Sequence, residues 1–370
     1  MGAPRIMVLG GANVDTVATA AAGLGHGMRL GDSTPGRVRT SPGGVARNVA
    51  ENLARLGHAV GLIAAVGDDA AGRTLLAATR QAGVDVSACA VLAGEATASY
   101  VSLHEPDGTL RAAVNDMQVL ERLTPAVLAP HAAALHEAAL WVVEANLSDS
   151  ALAWVFSQHA AACSAAPVFA DAVSAAKCMR LRPWLERVHT LKLNRLEAQA
   201  LCGLPTATYA EVEAAANWLH ARGVVNVVVS VGAEGLFFSA SNAARRLGAP
   251  GRPAGQLSDE RGWLPAFVMP GAVQGAVPGA VPSAVPSAAQ VADARRAAPA
   301  VALNTNGAGD ALMAALVHTH LVNPSQTAPL AHAARFASAC AAITLTAPAA
   351  NHPDLSPTLV AQWLASTATP

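Results

Sequence analysis

Strand-length apolar runs that alternate with helix-length stretches constrain this chain more than any other feature. Arg5 to Gly10, Val60 to Val66, Leu140 to Glu144, Val168 to Asp171, Thr190 to Leu193 and Asn226 to Val231 are such runs. Between them, 45–56 carries Val45, Val49, Leu53 and Leu56 at helical spacing and stops at Gly57. Segments 71–81, 148–161, 195–202 and 209–222 continue the pattern. Strands that are apolar on both faces and separated by helices predict an α/β fold, a parallel sheet covered by helices on both sides.

Two regions break the rhythm. Ser99 to His104, the turn Pro106-Asp107-Gly108 and Thr109 to Val114 read as a hairpin, and Val14 to Arg39 has no convincing helix. Segments of about 12–40 and 97–117 are expected to form a small β-sheet lid standing off the main layer, or else a pair of long loops. Segment 248–299 is of another kind. Within it 275–287 repeats Ala, Val, Pro and a small residue, and proline at every fourth position blocks both helix and sheet ladder. It is expected to be a disordered or polyproline-like insertion in a single domain spanning 1–370.

Hydrophobic residues make up 52% of the chain and charged residues 13%, enough for a large core. The 24 basic and 25 acidic residues leave a formal charge of −1, so neither nucleic acid nor an anionic membrane is an expected partner. No apolar run has the length of a spanning helix, and Met1 to Asp15 lacks the layout of a signal peptide. The five cysteines (Cys89, Cys163, Cys178, Cys202, Cys340) are scattered, without a CxxC pair or zinc-type spacing. These features point to a soluble cytoplasmic enzyme.

The strongest chemical signal is Leu303-Asn-Thr-Asn-Gly-Ala-Gly-Asp310, followed by an apolar helix-forming stretch. Two glycines one residue apart let the backbone turn tightly and align successive N–H groups. A helix that begins there adds its own unpaired N–H groups and its dipole, so the place is an anion hole. Asp310 in the first turn can take a proton from a hydroxyl attacking bound phosphate, or it can do no more than stabilise the helix start. Ser41-Pro-Gly-Gly44-Val-Ala-Arg-Asn48 is a second glycine pair opening a helix, suited to a polyhydroxyl ligand. After the first run, Asn13 and Asp15 alternate with Val14 and can point to one side, where Asp15 could accept from two adjacent hydroxyls. Gly10-Gly-Ala-Asn is not GxGxxG, which excludes a dinucleotide fingerprint.

The two glycine segments resemble the paired signatures of the ribokinase-like (PfkB) carbohydrate kinases. Asn194-Arg-Leu-Glu197 is similar to the N-x-x-E motif of that family, and Val229-Ser-Val-Gly232-Ala-Glu-Gly235 to its nucleotide-binding strand and turn. The likeness covers the chain except about 240–300. Within the family, Pro42 to Gly57, Ala113 to Met117, Leu152 to Trp154, Val173 to Cys178, His189 to Glu197 and Asn351 to Leu355 look like the pseudouridine kinases.

The resemblance implies ATP-dependent transfer of a phosphoryl group to the ribose 5′-hydroxyl of a small-molecule nucleoside. It makes Asp310 the base, with the N–H groups of Gly307, Ala308 and Gly309 holding charge on the transferred group. Asp15, Gly43, Gly44 and Asn48, with Asn13, would bind the ribose. Asn115 and Asp116 would meet the base, Asp116 accepting the N1–H that pseudouridine has and uridine lacks. As a plain sequence feature that pair is a turn at a strand end. Lys177 would approach the base or phosphates, or lie in solvent. Ser230, Gly232, Gly235, Asn306 and Asn351 would line the ATP site together with Asn194, Gly307 and Gly309. Asn194 and Glu197 would organise Mg²⁺, although the same spacing is that of a helix capping box. A monovalent cation such as K⁺ is possible, with Asn304 standing where many members have Asp. A homodimer through the lid is the expected assembly. The competing functions are a kinase for another nucleoside or a free sugar such as ribose, and a catalytically silent nucleoside-binding protein.

Overall fold

The six apolar runs lie side by side in one sheet. This computed structural model describes residues 5–22, 28, 31–162, 166–241, 260–267, 307–322 and 329–367. The main sheet contains β1 (Arg5–Leu9), β4 (Ala59–Ile63), β9 (Leu140–Glu144), β10 (Val168–Asp171), β11 (Thr190–Asn194), β12 (Asn226–Ser230), β13 (Leu236–Ala240) and β14 (Glu260–Leu264). Their spatial order is β14-β13-β12-β11-β10-β9-β1-β4. The pairs from β4 through β12 are parallel, whereas β12–β13 and β13–β14 are antiparallel. The expected parallel sheet core thus runs from β4 to β12, and an antiparallel edge extends it. The turn 232–234 joining β12 to β13 is too short for a crossover, so the chain must fold back.

The longer helices among the described residues are α1 (Val45–Arg55), α2 (Ala70–Gln81), α3 (Asp149–Ala161), α4 (Arg195–Cys202), α5 (Tyr209–His220), α6 (Ala308–Val322), α7 (Leu330–Leu345) and α8 (Pro357–Ser366). Strand alternation divides the core between the two faces. Met7, Leu9, Trp141, Val143, Leu191 and Leu193 pack with α3, α4 and α5. Ile6, Val8, Leu140, Val142 and Val228 pack with α1, α6 and α7. Burial on both faces explains why these strands read as continuous apolar runs.

The small sheet is present as β2 (Asn13–Ala20), β3 (Gly36–Gly43), β7 (Ser99–His104) and β8 (Leu110–Asp116), in the order β3-β2-β7-β8. The run 60–66 divides: β4 ends at Ile63, and β5 (Ala65–Gly67) leaves the main sheet to pair with β6 (Ala90–Leu92). Strand β14 lies inside the segment expected to be a structureless insertion, which corrects that expectation for 260–264. It is held by its ladder to β13 and by Glu260, whose carboxylate accepts from Leu330 N and Ala331 N (2.6 and 2.9 Å) at the start of α7. The proline repeat lies outside the described residues.

Candidate active site

The strand order reverses at β1. From β1 the chain goes to β4 on one side, and β9 through β14 build outward on the other. Ligand sites in such sheets lie at the carboxyl ends of the strands beside this reversal. Here those ends carry Gly10 and Gly11 after β1, Glu144 on β9, Asp171 on β10, and Lys192 and Asn194 on β11. The N-terminus of α6 faces the same place.

Helix α6 opens after Gly307, whose φ of +83° is a left-handed conformation. A Cβ there would also collide with the carbonyl oxygen of Ala350. The first helical bond runs from Ala311 N to Gly307 O, so the N–H groups of Ala308, Gly309 and Asp310 precede the helical ladder. Asp310 is 8% exposed and accepts from Asn48 Nδ2 at 2.8 Å. Burial and the neighbouring charge of Asp171 push its pKa up to about 7; Lys192 and the Asn48 hydrogen bond oppose the rise, and Glu144 adds to it. A carboxyl near neutral pKa is suited to exchange a proton with a hydroxyl at physiological pH.

The charges around Asp310 form one array. Lys192 is buried and pairs with Asp171 at 3.2 Å. Burial works against its charge, yet Asp171, Glu197 and Asp310 together hold its pKa above the usual lysine value. Glu144 accepts from the amides of Gly11 and Asn146 (2.7 Å for the latter), and burial raises its pKa to about 7. The glycine at position 10 leaves room for this carboxylate.

Asn13, Asp15, Gly43 and Asn48 come together as expected. Asn13 Nδ2 donates to Asp15 Oδ1 at 2.7 Å, and a Cβ at Gly43 would collide with the Asp15 carboxylate. Burial raises the Asp15 pKa, and the hydrogen bond from Asn13 and the charge of Arg47 oppose that rise. Gly44, at φ +99°, lies against Gly11 O and Ala12, which fixes the two loops together.

The pair Asn115-Asp116 divides between the faces of the small sheet. Asp15 pairs with Tyr100, and Tyr100 with Asn115, so Asn115 shares the Asp15 face. Asp116 pairs with Ser99 on the reverse face, and its Oδ1 accepts from Gln118 N at 3.2 Å. On this register Asn115, rather than Asp116, shares a face of the small sheet with Asp15. Both residues line an open pocket of about 460 Å³ with Gln118, Leu120, Asn146 and Lys177. Lys177 is not a solvated loop lysine: Nζ donates to Asn146 Oδ1. Val173, four residues earlier, has φ of +64°, a strained value for a β-branched residue, and its N–H donates to Asp171 Oδ1 at 2.9 Å.

At the carboxyl end of β11, Asn194 and Glu197 form a complete capping box. Asn194 Oδ1 accepts from Glu197 N (2.9 Å), Glu197 Oε2 accepts from Asn194 N (2.7 Å), and Asn194 Nδ2 donates to Glu197 Oε1 (2.6 Å). The amide of Asn194 is committed to Glu197. Ser230 Oγ donates to Leu193 O at 3.4 Å, and Gly232 faces open space. The glycine at 235 is required by the neighbouring backbone of Leu264 to Ala266. Asn351 has both ends of its amide on α1: Oδ1 accepts from Arg47 (2.9 Å) and Nδ2 donates to Asn48 O (2.9 Å). Asn304 and Asn306 lie outside the described residues.

Sequence reasoning missed Arg47, Glu144, Asn146, Asp171 and Lys192. A signal existed for three of them. Glu144 and Asp171 each end an apolar run, and Lys192 interrupts one, so burial of the strand buries the charge.

The solved structure of Arabidopsis thaliana ribokinase complexed with ribose and ATP superposes with a TM-score of 0.72 at 19% identity, covering 98% of this chain and 99% of that one. Pseudouridine kinase of Escherichia coli is 34% identical over 95% of this chain and 93% of its own length. An uncharacterised sugar kinase of the same organism is 33% identical over 88% of this chain and 74% of its own. Residues 3–259 and 280–358 match the pfkB family of carbohydrate kinases, and the chain belongs to that family.

Proposed function

We propose that this kinase transfers the γ-phosphoryl group of ATP to the ribose 5′-hydroxyl of pseudouridine, giving pseudouridine 5′-phosphate and ADP. The observation that carries the reading is the meeting of Asn48 and Asp310 at 2.8 Å beside the first turn of α6. It joins the polyhydroxyl loop to a base and an anion hole. Asp310 takes the proton of the 5′-hydroxyl as its oxygen bonds to the γ-phosphorus. The bond from that phosphorus to the β–γ bridging oxygen breaks, and ADP leaves. The N–H groups at the start of α6 hold the charge on the transferred group.

Among the described residues no cluster of three or more His, Cys, Asp or Glu could hold a metal alone. The available donors are carboxylate oxygens, which suit Mg²⁺, an ion that keeps several waters and leans on substrate phosphates. Asn194 and Glu197 are both engaged in the cap, so they would act on Mg²⁺ through its retained waters. When bound, Mg²⁺ would neutralise phosphate charge. The K⁺ expectation turns on Asn304, which lies outside the described residues.

The substrate assignment is supported by the pocket in which Asn115, Asn146 and Lys177 meet next to the ribose loop, and by likeness to the E. coli pseudouridine kinase. Asn115 can accept the N1–H of pseudouridine, and Lys177 can donate to a ring carbonyl. The second reading, a kinase for another nucleoside or a free sugar such as ribose, is favoured by the sugar-kinase relative. Initial rates with pseudouridine, uridine, ribose and adenosine decide between them, and a faster reaction with ribose than with pseudouridine would exclude the first. The outer face of the small sheet exposes Val38 (69%) and Val114 (71%) together with Val101 and Leu103, which supports a lid-to-lid homodimer. A monomeric mass in solution would exclude it. None of the described helices is long and apolar enough to cross a membrane. Cys89, Cys178, Cys202 and Cys340 are free thiols, in keeping with a cytoplasmic site of action.

A further inference from the structure

Arg47 precedes Asn48 in the first turn of α1 and is 4% exposed. A buried guanidinium is costly unless its donors are used. Here Nε donates to Thr79 Oγ1 (3.3 Å), Nη1 to Asn48 Oδ1 (3.0 Å) and Asn351 Oδ1 (2.9 Å), and Nη2 to Glu51. Glu51 one turn later pairs with it through Oε2 and pairs with Arg55 through Oε1. The contacts to two amides require a separate explanation.

An Asn amide can turn over, exchanging donor for acceptor. A guanidinium has no acceptor, so Asn48 can present only Oδ1 to it. That leaves Nδ2 on the opposite side, where it donates to Asp310 Oδ2 at 2.8 Å. Asn351 is set the same way, with Oδ1 on Arg47 and Nδ2 on Asn48 O. Its neighbour Ala350 lies against Gly307, with no room for a Cβ between them. Two routes therefore run from Arg47 to the N-terminus of α6, one ending on Asp310 and the other on Gly307.

We propose that Arg47 is a positioning residue: it fixes the Asn48 amide donor-first onto Asp310 and, through Asn351, seats the Ala350 loop against Gly307. Base and anion hole are thereby aligned from one point. The inference rests on the assignment of Asp310 as the base. Lysine cannot replace Arg47 in this role, because a single ammonium lacks the planar fork that reaches both amides while pairing with Glu51.

The test combines kinetics with crystallography. Arg47→Met, Arg47→Lys, Asn48→Ala and the double variant Arg47→Met/Asn48→Ala are compared with whichever acceptor the wild type phosphorylates. Arg47→Met should lower kcat by roughly 10- to 100-fold, the scale of a misaligned reacting group. KM for ATP should stay within about twofold, since uniform binding is untouched. In the Asn48→Ala background the part of that loss carried through the Asn48 amide should vanish, leaving only the part carried through Asn351. Arg47→Lys should fail to restore kcat. Should Arg47→Met not fold, Arg47→Lys carries the same cycle, since it keeps a charge opposite Glu51. Additive losses in the cycle, or full recovery with lysine, overturn the proposal. So does a crystal structure of the folded variant in which Asn48 still donates to Asp310. A wild type that phosphorylates no nucleoside or sugar overturns the proposed function instead, and the crystal structure still decides the role of Arg47.

Discussion

Replacing Asp310 by Asn should abolish turnover and at the same time stabilise the fold. The carboxyl has an ordinary pKa of 3.8 and about 7 in the folded protein, because burial and the neighbouring Asp171 disfavour its charge. An acid whose folded pKa is raised binds its proton more tightly folded than unfolded. Stability therefore falls as pH rises from about 3.8 to about 7 and is level above that. At about 1.4 kcal/mol per pH unit, the destabilisation at neutral pH has a ceiling of about 4 kcal/mol. Lys192 loses an attractive partner in the variant, and the new amide must place a donor, so a net gain of about 1–2 kcal/mol is expected, or about 2–4 °C in Tm. Asn is nearly isosteric and can still accept from Asn48. Thermal unfolding of both proteins from pH 4 to 8 reads the effect: the curves should coincide at the acid end and separate towards pH 7. Turnover should fall on the order of 10²–10⁴-fold, as for loss of a general base. A variant less stable than wild type at pH 8, or a gap independent of pH, would refute the electrostatic account. Near-normal turnover would refute the role as base.

Three further outcomes are expected. Gly307→Ala should cost about 2 kcal/mol or more in urea unfolding, since it combines a left-handed φ with a collision against Ala350 O, and it should lower kcat by displacing the anion hole. Asn115→Ala should reduce the ratio of kcat/KM for pseudouridine over ribose by roughly three- to tenfold, the worth of one neutral hydrogen bond; Asp116→Ala should leave that ratio within about twofold, and the reverse order would sink the face assignment. Deleting 270–299 should leave Tm and kcat nearly unchanged, whereas extending the deletion through 260–264 removes β14 and the Glu260 cap on α7, a cap of this kind being worth about 1 kcal/mol.

What the sequence disclosed was local. Helix α4 (Arg195–Cys202) and strand β10 (Val168–Asp171) have the predicted bounds, because the Asn194 cap and a short apolar run carry their own signals. The outer edge of the sheet was hidden. Glu260–Leu264 has little apolar character, and it is a strand because β13 offers a ladder and α7 offers two amides. The charged residues of α1 were hidden for a related reason. Arg47, Asn48, Glu51 and Asn52 alternate with Val49 and Leu53 as on an ordinary amphipathic helix, yet all are buried, because the polar side of α1 meets α6 and the 351 loop rather than water. Such coverings come from residues some 260 to 300 positions away, and no periodicity in 45–55 reports them.

The same distance argument bears on the modest alternative for Asp310, that of a side chain which merely stabilises a helix start. An Asp kept for that purpose gains from the helix dipole only while ionised, and solvent or a nearby cation normally keeps it so. Asp310 is 8% exposed, and Asp171 and Glu144 raise its pKa further. Lys192, the cation nearest to compensating it, is already paired with Asp171. A position that disfavours the charge in this way gives up part of the dipole benefit and adds a desolvation penalty. An Asp there, facing Asn48 across 2.8 Å, fits the proposed base, a group that releases and takes up a proton in place.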